Sequence, residues 1–128
     1  MKYYTHKTVN ESFEKALEQI TEALKNQGFG ILSDIDVQAT LKKKLNVDRK
    51  KYRILGACNP PNAHKALGVE PFIGLMLPCN VVLQEIDANT TDIAVVDPVA
   101  SMQAVENDDL KVIAADIRDQ LKKALSTL

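Results

Sequence analysis

Two strand-like runs rich in β-branched residues, 79–87 and 92–96, are separated only by Ala88-Asn89-Thr90-Thr91. A link this short makes a hairpin, whereas a parallel partner needs a crossover of a dozen or more residues. The sheet is therefore antiparallel at least here. No Gly-rich turn follows the first strand either, which argues further against a doubly wound parallel sheet. The fold class expected is α+β: an antiparallel, strongly bent sheet with its long helices on one face.

The remaining elements fit that frame. Residues 3–9 are rich in β-branched and aromatic side chains and read as a strand. Asn10 is a good N-cap, after which Phe13, Ala16, Leu17, Ile20 and Leu24 recur at helical spacing, and Gly28 stands where a left-handed C-cap belongs. Phe29, Ile31, Ile35 and Val37 mark a second strand, residues 39–45 a short helix, 46–50 a turn and 52–58 a third strand. A short helix over residues 63–67 follows Asn59-Pro60, and the apolar run 71–77 reads as another short turn of helix. From Asp108, the stripe Leu110, Ile113, Ala114, Ile117, Leu121, Leu125 and Leu128 defines a long amphipathic helix. The predicted order is β-α-β-α-β-α-β-β-α, in a single domain over residues 1–128.

Charge and hydropathy exclude some partners. Sixteen Lys+Arg against 17 Asp+Glu leave a formal net charge of -1, without the basic excess of a nucleic-acid binder. No apolar run approaches the ~20 residues of a membrane span. The first residues, MKYYTHKTVNESFEK, contain no apolar core of a signal peptide, so a cytoplasmic location is expected. Two cysteines in 128 residues do not make a disulfide framework.

The chemistry concentrates in two stretches, Gly56-Ala57-Cys58-Asn59-Pro60-Pro61-Asn62-Ala63-His64 and Leu77-Pro78-Cys79-Asn80. Each sets a Cys-Asn pair beside proline, one at the end of a strand and one at the start of the next. If those strands run antiparallel, both cysteines lie at one edge of the sheet. If parallel, they lie roughly 17–20 Å apart. His64, tilted back toward the helix N-terminus, is expected to approach Cys58, whose thiolate the helix dipole favours. Asp97, before Pro98, returns to the same edge. The structural alternative for each residue is plain: buried cysteines packing as small hydrophobes, a solvated His64, Asn59 and Asn80 as cap and strand-entry residues, Asp97 as a helix start.

Residues 28–41, 52–67, 77–82 and 97–102 together resemble the bacterial and archaeal family called domain of unknown function 302, with Cys-Asn-Pro and Leu-Pro-Cys-Asn as its specific motifs. The resemblance covers nearly the whole chain. It implies an α+β fold similar to the TATA-binding-protein-like class, though not DNA binding. On those motifs Asp36, Cys58, Asn59, Pro60, His64, Pro78, Cys79 and Asn80 are the residues to follow.

Three functions are compatible with this pattern. The first is a soft-metal or haem-type module with Cys58, His64 and Cys79 as metal ligands for zinc or copper, although spacings of 6 and 21 residues match no standard finger. The second is a thiol enzyme or redox protein with Cys58 as nucleophile, His64 as base and Cys79 as resolving thiol. The third is a non-catalytic binding or assembly module, holding a small-molecule ligand or forming a homodimer, with the cysteines as packing. Asp36, Asn59, Asn80 and Asp97 are the candidate ligand-binding residues in each case. The recurrence of Cys-Asn beside proline favours a site at the cysteine edge.

Overall fold

The computed structural model describes residues 2–128. Helix α1 (Phe13–Asn26) is started by Ser12, whose hydroxyl accepts from Lys15 N–H at 3.2 Å, and not by Asn10. Asn10 lies two residues too early to reach the orphan amides of the first turn. The other end behaves as the sequence suggests. Gly28 takes φ +85°, and Phe29 N–H closes back on Leu24 C=O at 2.9 Å in a Schellman turn that drops Phe29 into the core.

Strand β1 (Tyr4–Val9) precedes α1, and β2 (Gly30–Asp36) follows it. Asp36 ends β2 by capping α2 (Val37–Leu45), its carboxylate accepting from Ala39 N–H at 2.9 Å. Val37, expected in the strand, is thus the first helical residue. Strand β3 (Tyr52–Cys58) runs into α3 (Pro60–Val69), then a 3₁₀ turn (Pro71–Met76), β4 (Cys79–Asp87) and β5 (Thr90–Val96). The β4–β5 hairpin is tighter than its sequence suggests. Thr90 and Thr91 belong to β5, leaving Ala88 and Asn89 as the turn, with Asn89 N–H bonded to Asp87. A four-residue helix missing from the predicted order, though Asp97 is a helix-start candidate, α4 (Pro98–Ser101), precedes the long α5 (Asp108–Ser126).

The strands form one sheet, β1-β5-β4-β3-β2, antiparallel at every pairing. Alternation sends Leu55, Ala57, Cys79, Val81, Leu83, Ile93 and Val95 to one face. There they meet Phe13, Ala16, Ile20 and Leu24 of α1 and Ile117, Leu121, Ala124 and Leu125 of α5. The two long helices therefore share a face, as their stripes require. A second cluster, Ala66, Ile73, Met102, Leu110 and Ala114, ties α3, the 3₁₀ turn and α4 to the start of α5.

The cysteine cleft, a candidate ligand site

Antiparallel pairing of β3 with β4 puts Ala57 opposite Cys79, so Cys58, the last residue of β3, and Cys79, the first of β4, share one end of the sheet. Both line a cleft of about 290 Å³. Its floor is Ala57 and Ile117. Phe29 and Leu32 form one wall, Ala63 and Leu67 of α3 another, and Gly74, Leu77 and Pro78 the third.

Each wall has a local cause. Between Ile31 and Ser33 the register of β2 slips against β3, so Leu32 has no opposite residue and is turned out to the cleft rim, 69% exposed. A β-bulge commonly re-aims a side chain in this way. Gly30 faces Cys58 and offers no side chain to cover it, so Cys58 stays half-buried while Cys79 is buried. At Gly56 an added Cβ would lie 2.6 Å from Pro78 Cγ and 2.3 Å from Ser33 Oγ. Only glycine lets the Pro78 ring, after its cis peptide bond, close down on the strand.

The two asparagines of the Cys-Asn-Pro-Pro-Asn run hold the cleft in place. Asn59 Oδ1 accepts from Asn62 N–H at 3.2 Å to cap α3, and Asn59 Nδ2 donates to Gln120 Oε1 of α5 at 3.0 Å. Asn62, itself buried, donates to Asp116 at 3.3 Å. Asn59 therefore also borders the cleft as a positioning group.

His64 does not join the thiols. Residues of an α-helix turn by about 100° each. Ala63 and Leu67 face the cleft and Asn62 and Ala66 face α5, so His64 and Lys65 point to solvent. The N-terminal tilt of helical side chains does not overcome that phase. Among the described residues no group of three or more His, Cys, Asp or Glu is arranged to hold a metal ion, so the Cys58, His64 and Cys79 triad is not assembled.

The other candidates are dispersed. Asp36 pairs in register with Arg53, five residues along β3 from Cys58, or roughly 16 Å away. There it caps α2 and lies 3.6 Å from the Arg53 guanidinium. Asn80, opposite Gly56, projects from the sheet face that the helices leave open. Asp97 lies at the expected edge, but its carboxylate caps α4, accepting from Val99 N–H at 2.9 Å.

Burial pushes the Cys79 thiol up to about 11, with the neighbouring Cys58 a lesser cause. At neutral pH Cys79 is thus a protonated, uncharged wall. Apart from the two thiols, none of the described residues lining the cleft is ionisable, so among them there is no general base and no charge partner for an ionic ligand. What the geometry suits is an apolar moiety in contact with one accessible thiol. Local pattern hides the lining because it comes from six elements, β2, β3, α3, the 3₁₀ turn, β4 and α5. The adjacent Ile31-Leu32 pair, which breaks strand alternation, was the available sign of the bulge.

The family model described as Domain of unknown function DUF302 matches residues 5–128. No curated protein matches the chain. A solved structure, the crystal structure of an uncharacterized conserved DUF302 protein from Bacillus stearothermophilus, is similar to this chain with a TM-score of 0.90 and 30% identity, over 98% of each chain. The matched residues include both cysteine motifs and every wall of the cleft.

Proposed function

The chain belongs to the DUF302 family, a domain of unknown function, and from the cleft we propose that it is a small-molecule-binding module that takes a largely apolar ligand beside Cys58. One observation carries the reading: a cleft of about 290 Å³ with apolar walls and a half-buried thiol. That volume is at the lower end of small-ligand sites, which are mostly apolar with a few polar groups. Here the polar groups are Cys58 and Asn59. The soft-metal and thiol-enzyme readings are weaker, because His64 faces solvent and Cys79 holds its proton.

The experiment is binding of an uncharged apolar fluorescent dye, N-phenyl-1-naphthylamine, to folded protein. Saturable binding is expected, lost when Cys58 is blocked with N-ethylmaleimide and weakened by Leu67→Gln, with the circular dichroism spectrum unchanged. Dye binding indifferent to both changes would place the ligand elsewhere. Stoichiometric zinc or copper(I) retained after gel filtration, and lost in Cys58→Ser, would replace this reading with the metal one.

A further inference from the structure

The face of the sheet opposite α1 and α5 has the composition of an interface. Alternation that sends Val81, Leu83, Ile93 and Val95 inward sends Val82, Ala94 and Val96 outward, with Ile54 of β3 and Ile35 of β2 beside them in register. An antiparallel sheet with one solvated face normally shows polar residues there. This one has an apolar centre on β4, its middle strand. Around the centre stand polar and aromatic groups, Tyr4, His6, Tyr52, Asn80, Gln84 and Asp92, which line a shallow groove of about 360 Å³. Among the described residues, none from a helix lines that groove.

We propose that this face binds a second copy of the chain, sheet against sheet, about a two-fold axis near Val82. Charge is the first argument. The groove's acid, Asp92, accepts from Thr8 Oγ1 at 3.1 Å and Gln84 Nε2 at 3.3 Å and lies 3.8 Å from His6 Nε2. Two such faces can meet without burying an unpaired acid, the costly case for like surfaces. Area is the second. Five strands at ~4.8 Å spacing and ~20 Å length give each copy roughly 500 Å² of flat face, and two copies roughly the 1,000 Å² that a specific interface needs. Composition is the third: an apolar centre with tyrosines and a polar rim is the usual anatomy of such a contact, and a two-fold axis lets one patch serve both partners. Val82 and its neighbours lie outside the cysteine cleft, so this proposal does not depend on the ligand reading.

Light scattering coupled to size exclusion tests it. The wild type at micromolar concentration should have twice the 14.1 kDa mass of the chain. Val82→Glu should run as a monomer with a native circular dichroism spectrum. His6→Glu, which sets a second acid beside Asp92 on an exposed position, should weaken association at least tenfold and keeps the test open if Val82→Glu fails to fold. The control is Phe72→Ser with Leu75→Ser, on the exposed 3₁₀ turn, which should leave the dimer intact. A monomeric wild type overturns the proposal, including one whose open face takes up a small aromatic probe instead. So does a dimer that only the Phe72 and Leu75 changes dissociate.

Discussion

Asn59 Nδ2 donates to Gln120 Oε1 at 3.0 Å, fastening the β3–α3 corner to the closing helix across 61 residues of chain. The same side chain caps α3. Asn59→Ala therefore removes a cap and a hydrogen bond together and should cost about 1–3 kcal/mol in urea unfolding. Asn59→Asp keeps the capping acceptor but loses the donor, and should cost less. Equal losses for the two would assign the whole effect to the bond with Gln120.

Gly56 tests the close approach of Pro78. Gly56→Ala puts a methyl 2.6 Å from the proline ring and 2.3 Å from Ser33 Oγ. The hydroxyl can swing away, but the ring is fixed by the strand that follows it. Denaturant unfolding should show a loss of about 1–3 kcal/mol. Pairing the change with Ser33→Ala should recover only part of it. Full recovery would mean that the ring moves freely.

Leu121 is fully buried between α1 and the sheet, at the centre of the stripe legible in the sequence. Leu121→Ala should cost about 2–5 kcal/mol, since lost transfer energy and the cavity add. A loss below about 0.5 kcal/mol would place Leu121 at the surface.

That stripe and His64 show what the sequence could and could not disclose. Long helices bury a face against a sheet whatever their neighbours, so a period of 3.6 locates Leu110, Ile117 and Leu121 without knowledge of the fold. The β4–β5 link predicted antiparallel pairing for that hairpin alone and left the direction of β3 against β4 open; that pairing is antiparallel too, and it brings Cys58 and Cys79 to one end. The side chains around them depend on details that local pattern does not encode. One residue of helical phase decides whether His64 or Ala63 faces the cleft. Asn59 answers to Gln120, far away in sequence, and Asp36 proved to be a cap because α2 begins at Val37. The apolar outward positions Val82 and Ala94 were visible as unbroken runs, but which face the helices would cover was not.

Stability should fall in alkali through Cys79. Its folded thiol titrates at about 11 against an ordinary 9.0. Between those values the folded chain holds a proton that the unfolded chain has released, so unfolding is favoured as pH rises. The contribution is complete below about pH 9, declines up to 11 and is then exhausted, an order of 2–3 kcal/mol in all. Thermal melts from pH 8 to 11 should show a steeper decline for wild type than for Cys79→Ala. Parallel declines would mean that Cys79 is open to water when folded.

The two thiols should differ in both reactivity and stability. Cys58 is half-buried at the cleft, so one thiol per chain should react readily with Ellman's reagent under native conditions, and Cys58→Ser should remove that reaction. Its stability cost should stay within about 0.5 kcal/mol, because the hydroxyl keeps access to water. Cys79 packs with Ala57, Val81 and the α5 side chains, so Cys79→Ser buries a hydroxyl among apolar groups and should cost about 1–3 kcal/mol. The second thiol should react only on unfolding. Two equally fast thiols in the native protein would show that the cleft opens to β4, and would return Cys79 to the list of chemically active groups.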